Sequence, residues 1–211
     1  MGCTGMQDFD LIQSIFSIAV LVFSVVAHEV SHGYMAQYLG DPTARLAGRL
    51  TMNPIKHIDP VGSILVPIVT AFMPGGFVFG WAKPVPYNPY NLRDQKWGDA
   101  KVAIAGPLTN LGIAIAFSLF LRFGMGYLTS PMEAMLQLII YINIILAVFN
   151  LVPIPPLDGS KVLMGSLPFR YRYISEYLER YSLVLILFFV FFLWKLFLPL
   201  ISFIYLTLVG I

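Results

Sequence analysis

Charge is scarce in this chain: 11% of its 211 residues are Asp, Glu, Lys or Arg, and the net charge is +2. The Lys and Arg residues are spread among connections rather than gathered in a block, so there is no electrostatic footprint for nucleic acid and none is expected as a partner. Cysteine is scarcer still. The single Cys3 excludes a disulfide framework and a Cys-built metal site. Met1-Gly2-Cys3 begins as a myristoylation signal does, but Met6 stands where Ser or Thr is needed, so no lipid is expected there. Internal repeats, low-complexity tracts and polar blocks long enough to fold by themselves are all missing, and residues 1–211 are expected to form a single domain. Apolar residues are abundant, at 58% hydrophobic with a mean hydropathy of +0.78, which predicts an all-α polytopic membrane protein.

A bilayer core of about 30 Å needs roughly 20 helical residues. Four stretches qualify: Leu11 to Leu39, Val102 to Phe123, Met132 to Val152 and Ser182 to Val209. The first has no basic leader and no small-residue cleavage site, so it is expected to stay in the mature protein. A fifth stretch, Val61 to Gly80, is broken by Pro67, Pro74 and Gly75-Gly76, and predicts a short helix followed by a re-entrant, strand-like return. Lys195 and Pro199 divide the last run, which fits one long tilted helix or a span plus an interfacial helix, with Trp194 and Lys195 at headgroup level. The total is about five to six membrane segments, with a catalytic core at about 11–165 and the C-terminal span or spans at 182–209.

Three connections carry most of the positive charge: Arg45, Arg49 and Lys56; Lys83, Arg93, Lys96 and Lys101; Lys161, Arg170, Arg172 and Arg180. The positive-inside rule makes these cytoplasmic, which places the N-terminus outside and requires Val61 to Gly80 to enter and leave on one side.

Within the first apolar run stands His28-Glu29-Val30-Ser31-His32. Two His four residues apart share one helix face and can reach one zinc, with the Glu between them as a general base. Ionisable groups in hydrocarbon cost roughly 2.5–3.5 kcal/mol each on insertion scales, so such a cluster points to function. His28 lies about 25 Å along the helix from Leu11, within the membrane and nearer the cytoplasmic face. A catalytic zinc normally has three protein ligands and a water, so a third must come from elsewhere. One candidate is His57, in a polar turn. The stronger one is Asp158, after Pro153, Pro155 and Pro156. Those prolines end the third long span in extended backbone, which is tolerated at membrane depth only when buried in protein or lining a wet cavity. Gly159 is expected to let the chain turn sharply there. Asn150, at the end of that span, is either a cap or interhelical hydrogen-bond partner or a donor to an oxyanion. Asn143 reads as helix-packing glue.

HExxH on an apolar helix, followed by Asn150 and a Pro-rich stretch ending Leu157-Asp158-Gly159, resembles the site-2 protease family of intramembrane zinc metalloproteases. Ala105-Gly106-Pro107-Leu108-Thr109-Asn110 resembles the Gly-Pro-x-x-Asn element of a further core helix in that family, and the compact length is similar to its prokaryotic branch without a PDZ domain. The resemblance implies one zinc per chain on His28, His32 and Asp158, Glu29 as base, Asn150 near the scissile carbonyl, and a transmembrane segment of another protein as substrate. It implies a multi-pass protein of a prokaryotic inner or plasma membrane with its active site toward the cytoplasm. Gly106 and Pro107 serve packing or shape a substrate groove. Phe77, Val78 and Phe79, in an alternating bulky and small run, either anchor a surface loop or offer an edge to which an unwound substrate pairs. The rival class is a proton-coupled transporter, for which broken spans with internal His, Glu and Asp are also characteristic, but no inverted repeat is present.

Overall fold

In the computed structural model, which describes residues 4–72, 80–167 and 172–210, the first apolar run is one helix, α1 (Thr4–Tyr38). It gives way at Gly40, whose φ of 111° lies in the left-handed region that favours glycine. After the short α2 (Thr43–Leu46) and a 3-10 turn at Pro54–His57, the chain reaches a π turn at Pro60–Leu65 that continues into α3 (Val66–Ala71). This apolar helix, Pro60–Thr70, spans about 16 Å and is too short to cross a bilayer. Trp81 N donates to the Gly62 carbonyl at 3.0 Å and Lys83 N to the His57 carbonyl at 2.9 Å, so the chain comes back beside its point of departure. From Gly80 to Asn88 it is neither helix nor regular strand, and no regular strand occurs among the described residues. Phe77, Val78 and Phe79 lie outside the described residues.

Two long helices follow, α4 (Gly98–Gly124) and α5 (Ser130–Asn150), within four residues of the expected bounds. The Pro-rich break leads to α6 (Asp158–Ser166), then α7 (Arg172–Arg180), α8 (Ser182–Phe188), a π turn at Phe189–Leu193 and α9 (Trp194–Val209). The last three elements form one continuous helical run, Ser182–Val209, which resolves the ambiguity raised by Lys195 and Pro199. The Trp194 ring packs edge-on against Phe149 at 5.6 Å and Phe189 at 5.9 Å. Four of the described helices are long and apolar enough to cross a membrane, and much of their large apolar surface is exposed, as lipid contact requires.

Helix α4 is the axis of the bundle, touching α1, α5, α6 and α9. Seven of its eleven buried positions are small: Gly98, Ala100, Ala103, Ala105, Gly106, Ala114 and Ser118. Lipid supplies no hydrophobic drive between helices, so close backbone approach through small residues does that work instead. Larger side chains fill the far half, where Leu121 of α4 meets Leu136, Ile140, Ile144 and Val148 of α5 and Ile201 and Val209 of α9. Arg122 locks this end by donating Nε to the Leu208 carbonyl at 2.7 Å and a terminal nitrogen to that of Thr207, so a cation meets the negative end of α9.

Candidate metal centre

The four-residue spacing on α1 places His28 and His32 on one face, 5% and 8% exposed, with ring centroids 4.7 Å apart. Both rings direct Nε2 at one atom, Oδ2 of Asp158, at 2.9 Å and 3.2 Å. Two ligands on a tetrahedral zinc at bond lengths of 2.0–2.1 Å are about 3.3 Å apart, so these separations are close to the edge lengths such an ion requires. The far nitrogens are held as well. His32 Nδ1 meets the Val102 carbonyl at 2.7 Å and His28 Nδ1 meets Asn110 Oδ1 at 2.6 Å. A carbonyl only accepts, so His32 Nδ1 carries the proton and its Nε2 presents a lone pair to the shared point. The donor chemistry and the outer contacts fit zinc.

Glu29 lies beside them, with its carboxylate, His28 and His32 each offering a ligand atom within 4.8 Å of the others. Its Oε2 accepts a hydrogen bond from Val85 N at 3.0 Å. Val85 stands between Pro84 and Pro86, so its N–H is the one backbone donor of those three residues, and Glu29 takes it. Buried Arg49 also holds this stretch, donating to the carbonyls of Lys83 at 2.7 Å and Pro84 at 3.3 Å.

Gly106 and Pro107 are buried within α4. A Cβ on Gly106 would lie 2.4 Å from His28 Nε2 and 2.6 Å from His32 Cε1, so the helix passes over the imidazoles with no room for any side chain. Asn110, one turn further on, supplies the His28 contact. The sequence shows Asn110 within a family-like element, but nothing in the linear pattern marks it as the partner of His28.

Asp158 reaches the site because α5 stops at Asn150 and residues 151–157 are non-helical, with Val152 and Leu157 buried against Ile186 and Phe189. The irregular backbone is covered by protein at Val152, Pro155 and Leu157, while Leu151, Pro153 and Pro156 are exposed. The sequence predicts a sharp turn at Gly159, but Gly159 is in helix α6 and is absent from the positive-φ glycines. What it provides is space: a Cβ there would lie 2.2 Å from the Leu151 carbonyl oxygen.

One turn beyond Asp158, Lys161 Nζ donates to the Tyr87 hydroxyl at 3.0 Å, and Tyr87 in turn donates to Asp99 of α4. Burial and then the Asp99 carboxylate push the phenol above its ordinary range, so it stays a donor and ties the segment after Gly80 to α4 and α6. No sequence signal marks this contact, because its three members are far apart in the chain.

Two other candidates take different positions. His57 is 2% exposed with Nε2 2.9 Å from the Thr51 carbonyl, and it is not in the His28, Glu29, His32 group. Asn150 donates Nδ2 to the Leu146 carbonyl of its own helix at 2.9 Å.

Comparison with known proteins gives one family and several relatives. The model of peptidase family M50 matches residues 125–193, a stretch containing both Asn150 and Asp158. The chain is 35% identical over 179 residues to "Putative zinc metalloprotease YwhC" of Bacillus subtilis, covering 82% of this chain and 78% of that protein. It is 28% identical over 149 residues to "Putative zinc metalloprotease Rip2" of Mycolicibacterium smegmatis, covering 71% of this chain and 56% of that one. It is 36% identical over 91 residues to "Putative zinc metalloprotease MJ0611" of Methanocaldococcus jannaschii, covering 41% and 45%. No solved structure matches.

Proposed function

The chain belongs to peptidase family M50, and on that premise we propose that it is an intramembrane zinc endopeptidase that cuts peptide bonds within or near transmembrane segments of other membrane proteins. The observation that carries this reading is the meeting of His28 Nε2, His32 Nε2 and Asp158 Oδ2 beside Glu29, inside a bundle of apolar helices. His28, His32 and Asp158 would hold one zinc, which when bound supplies Lewis acidity and lowers the pKa of a water toward neutrality. Glu29 takes the proton of the attacking water and returns it to the leaving amine. Its Oε2 is already engaged by Val85 N–H, which leaves the second oxygen for the proton. Asn150, turned away from Leu146, would donate its amide to the oxygen that gains charge as the peptide carbonyl is attacked. A peptide bond in a transmembrane helix is shielded by its own turns, so the substrate must unwind. The run Phe77 to Phe79, by its alternating bulky and small residues, is the candidate edge to which the unwound substrate would pair.

The test is purified protein reconstituted with zinc in lipid vesicles together with a single-span substrate. About one zinc per chain and cleavage within the span, stopped by a zinc chelator, are expected. A protein that binds no zinc, or that cuts soluble segments alone, overturns the reading.

Orientation follows from the charge distribution, with the N-terminus outside and the metal centre toward the cytoplasm. A cysteine at exposed position 93 should label from the cytoplasmic side and one at exposed position 130 from outside. The opposite pattern would invert the topology.

A further inference from the structure

Behind the metal-facing edge of His28 a chain of buried polar side chains crosses the bundle. Ser24 and His28 on α1 are each 5% exposed, and Asn110 on α4 and Asn143 on α5 are 0% exposed. Asn143 Nδ2 donates to the carbonyl of Ile139 at 2.9 Å and to the hydroxyl of Ser24 at 3.0 Å. A backbone carbonyl accepts and never donates, so Ile139 decides which end of the Asn143 amide is the NH2 group. The carbonyl end, Oδ1, is thereby turned to Asn110, whose Nδ2 donates to it at 2.8 Å and reaches the Ser24 carbonyl at 3.4 Å. With its NH2 spent on those acceptors, Asn110 can offer His28 only Oδ1, at 2.6 Å from Nδ1. An acceptor in that place requires the proton on Nδ1 and so leaves the lone pair on Nε2, the atom aimed at Asp158. Reversing either amide would set like groups against each other in a buried setting where an unmatched polar group is costly, so the chain has one direction.

We propose that Asn143 is a positioning residue for the metal centre: acting through Asn110, it fixes the ring and tautomer of His28 so that Nε2 is presented for metal binding. His32 needs no such relay because the Val102 carbonyl holds it directly. The relay joins α5 and α4 to a ligand on α1, so the third long helix controls a metal site to which Asn143 contributes no ligand. This inference rests on the zinc reading of the site.

The experiment measures zinc affinity of the purified full chain by competition with a chelator, the visible spectrum of the cobalt-substituted protein, and thermal unfolding. Asn143→Leu should weaken zinc about 10-fold and change the cobalt spectrum, because the long 3.4 Å contact with the Ser24 carbonyl is then all that holds the NH2 of Asn110 away from His28. Asn110→Asp added to Asn143→Leu should restore most of the affinity, since a carboxylate accepts at both oxygens and needs no orienting partner. Asn143→Val, which likewise offers no acceptor to Asn110, is measured in parallel, with the same loss expected, should the leucine variant not fold. Wild-type zinc affinity and an unchanged cobalt spectrum in a folded Asn143 variant, or failure of Asn110→Asp to rescue, overturns the relay alone. A wild-type protein that binds no zinc overturns the metalloprotease reading and the relay with it.

Discussion

Glu29→Gln will retain zinc and lose proteolysis by about 10²–10⁴-fold, the contribution typical of a positioned general acid and base. Gln is nearly the same size as Glu and keeps an oxygen that can accept from Val85 N–H, so the contact between α1 and the segment after Gly80 survives. The metal ligands are untouched, because His28 and His32 are held by Asn110, Val102 and Asp158 rather than by Glu29. What disappears is the capacity to take a proton at neutral pH. Zinc content, thermal unfolding and cleavage of a transmembrane substrate are measured together. Near-normal cleavage would remove Glu29 from its assigned role, and a loss of zinc would make it a ligand.

Asp158→Ala should lower zinc occupancy and abolish cleavage, whereas His57→Ala should cost some stability and leave zinc bound. Asp158 Oδ2 is the one atom that both ligand imidazoles face, and without it two His remain, one ligand short of a catalytic zinc site. His57 spends Nε2 on the Thr51 carbonyl in a turn outside the cluster, so truncating it removes a buried ring and a hydrogen bond, but no ligand. Metal analysis of the two purified variants, beside wild type, decides the matter. Zinc lost with His57→Ala and kept with Asp158→Ala would make the site a three-His one.

The long apolar runs were legible in the sequence because hydrocarbon leaves backbone polar groups no partner outside the helix, so length and apolarity alone set the four long helices close to their observed bounds. HExxH was legible for a similar reason. Four-residue spacing on a helix is local geometry, and it puts His28 and His32 on one face whatever the rest of the chain does. Asp158 was legible as a candidate because three prolines cannot continue a helix at the end of a span.

What the tertiary structure alone decided is where chain segments far apart in sequence meet. The reason Gly106 has no side chain is the pair of imidazoles beneath it, and the reason Gly159 has none is the Leu151 carbonyl; in linear sequence both look like ordinary turn or packing glycines. Likewise the direction of the Asn143 amide is set by a carbonyl on its own helix, but its consequence falls on a ring held 2.6 Å from Asn110, contributed by another helix. Local pattern determines elements and the spacing of ligands along one helix. Which hydrogen-bond acceptor stands behind each ligand depends on helix packing, and packing is a property of surfaces that no single segment carries.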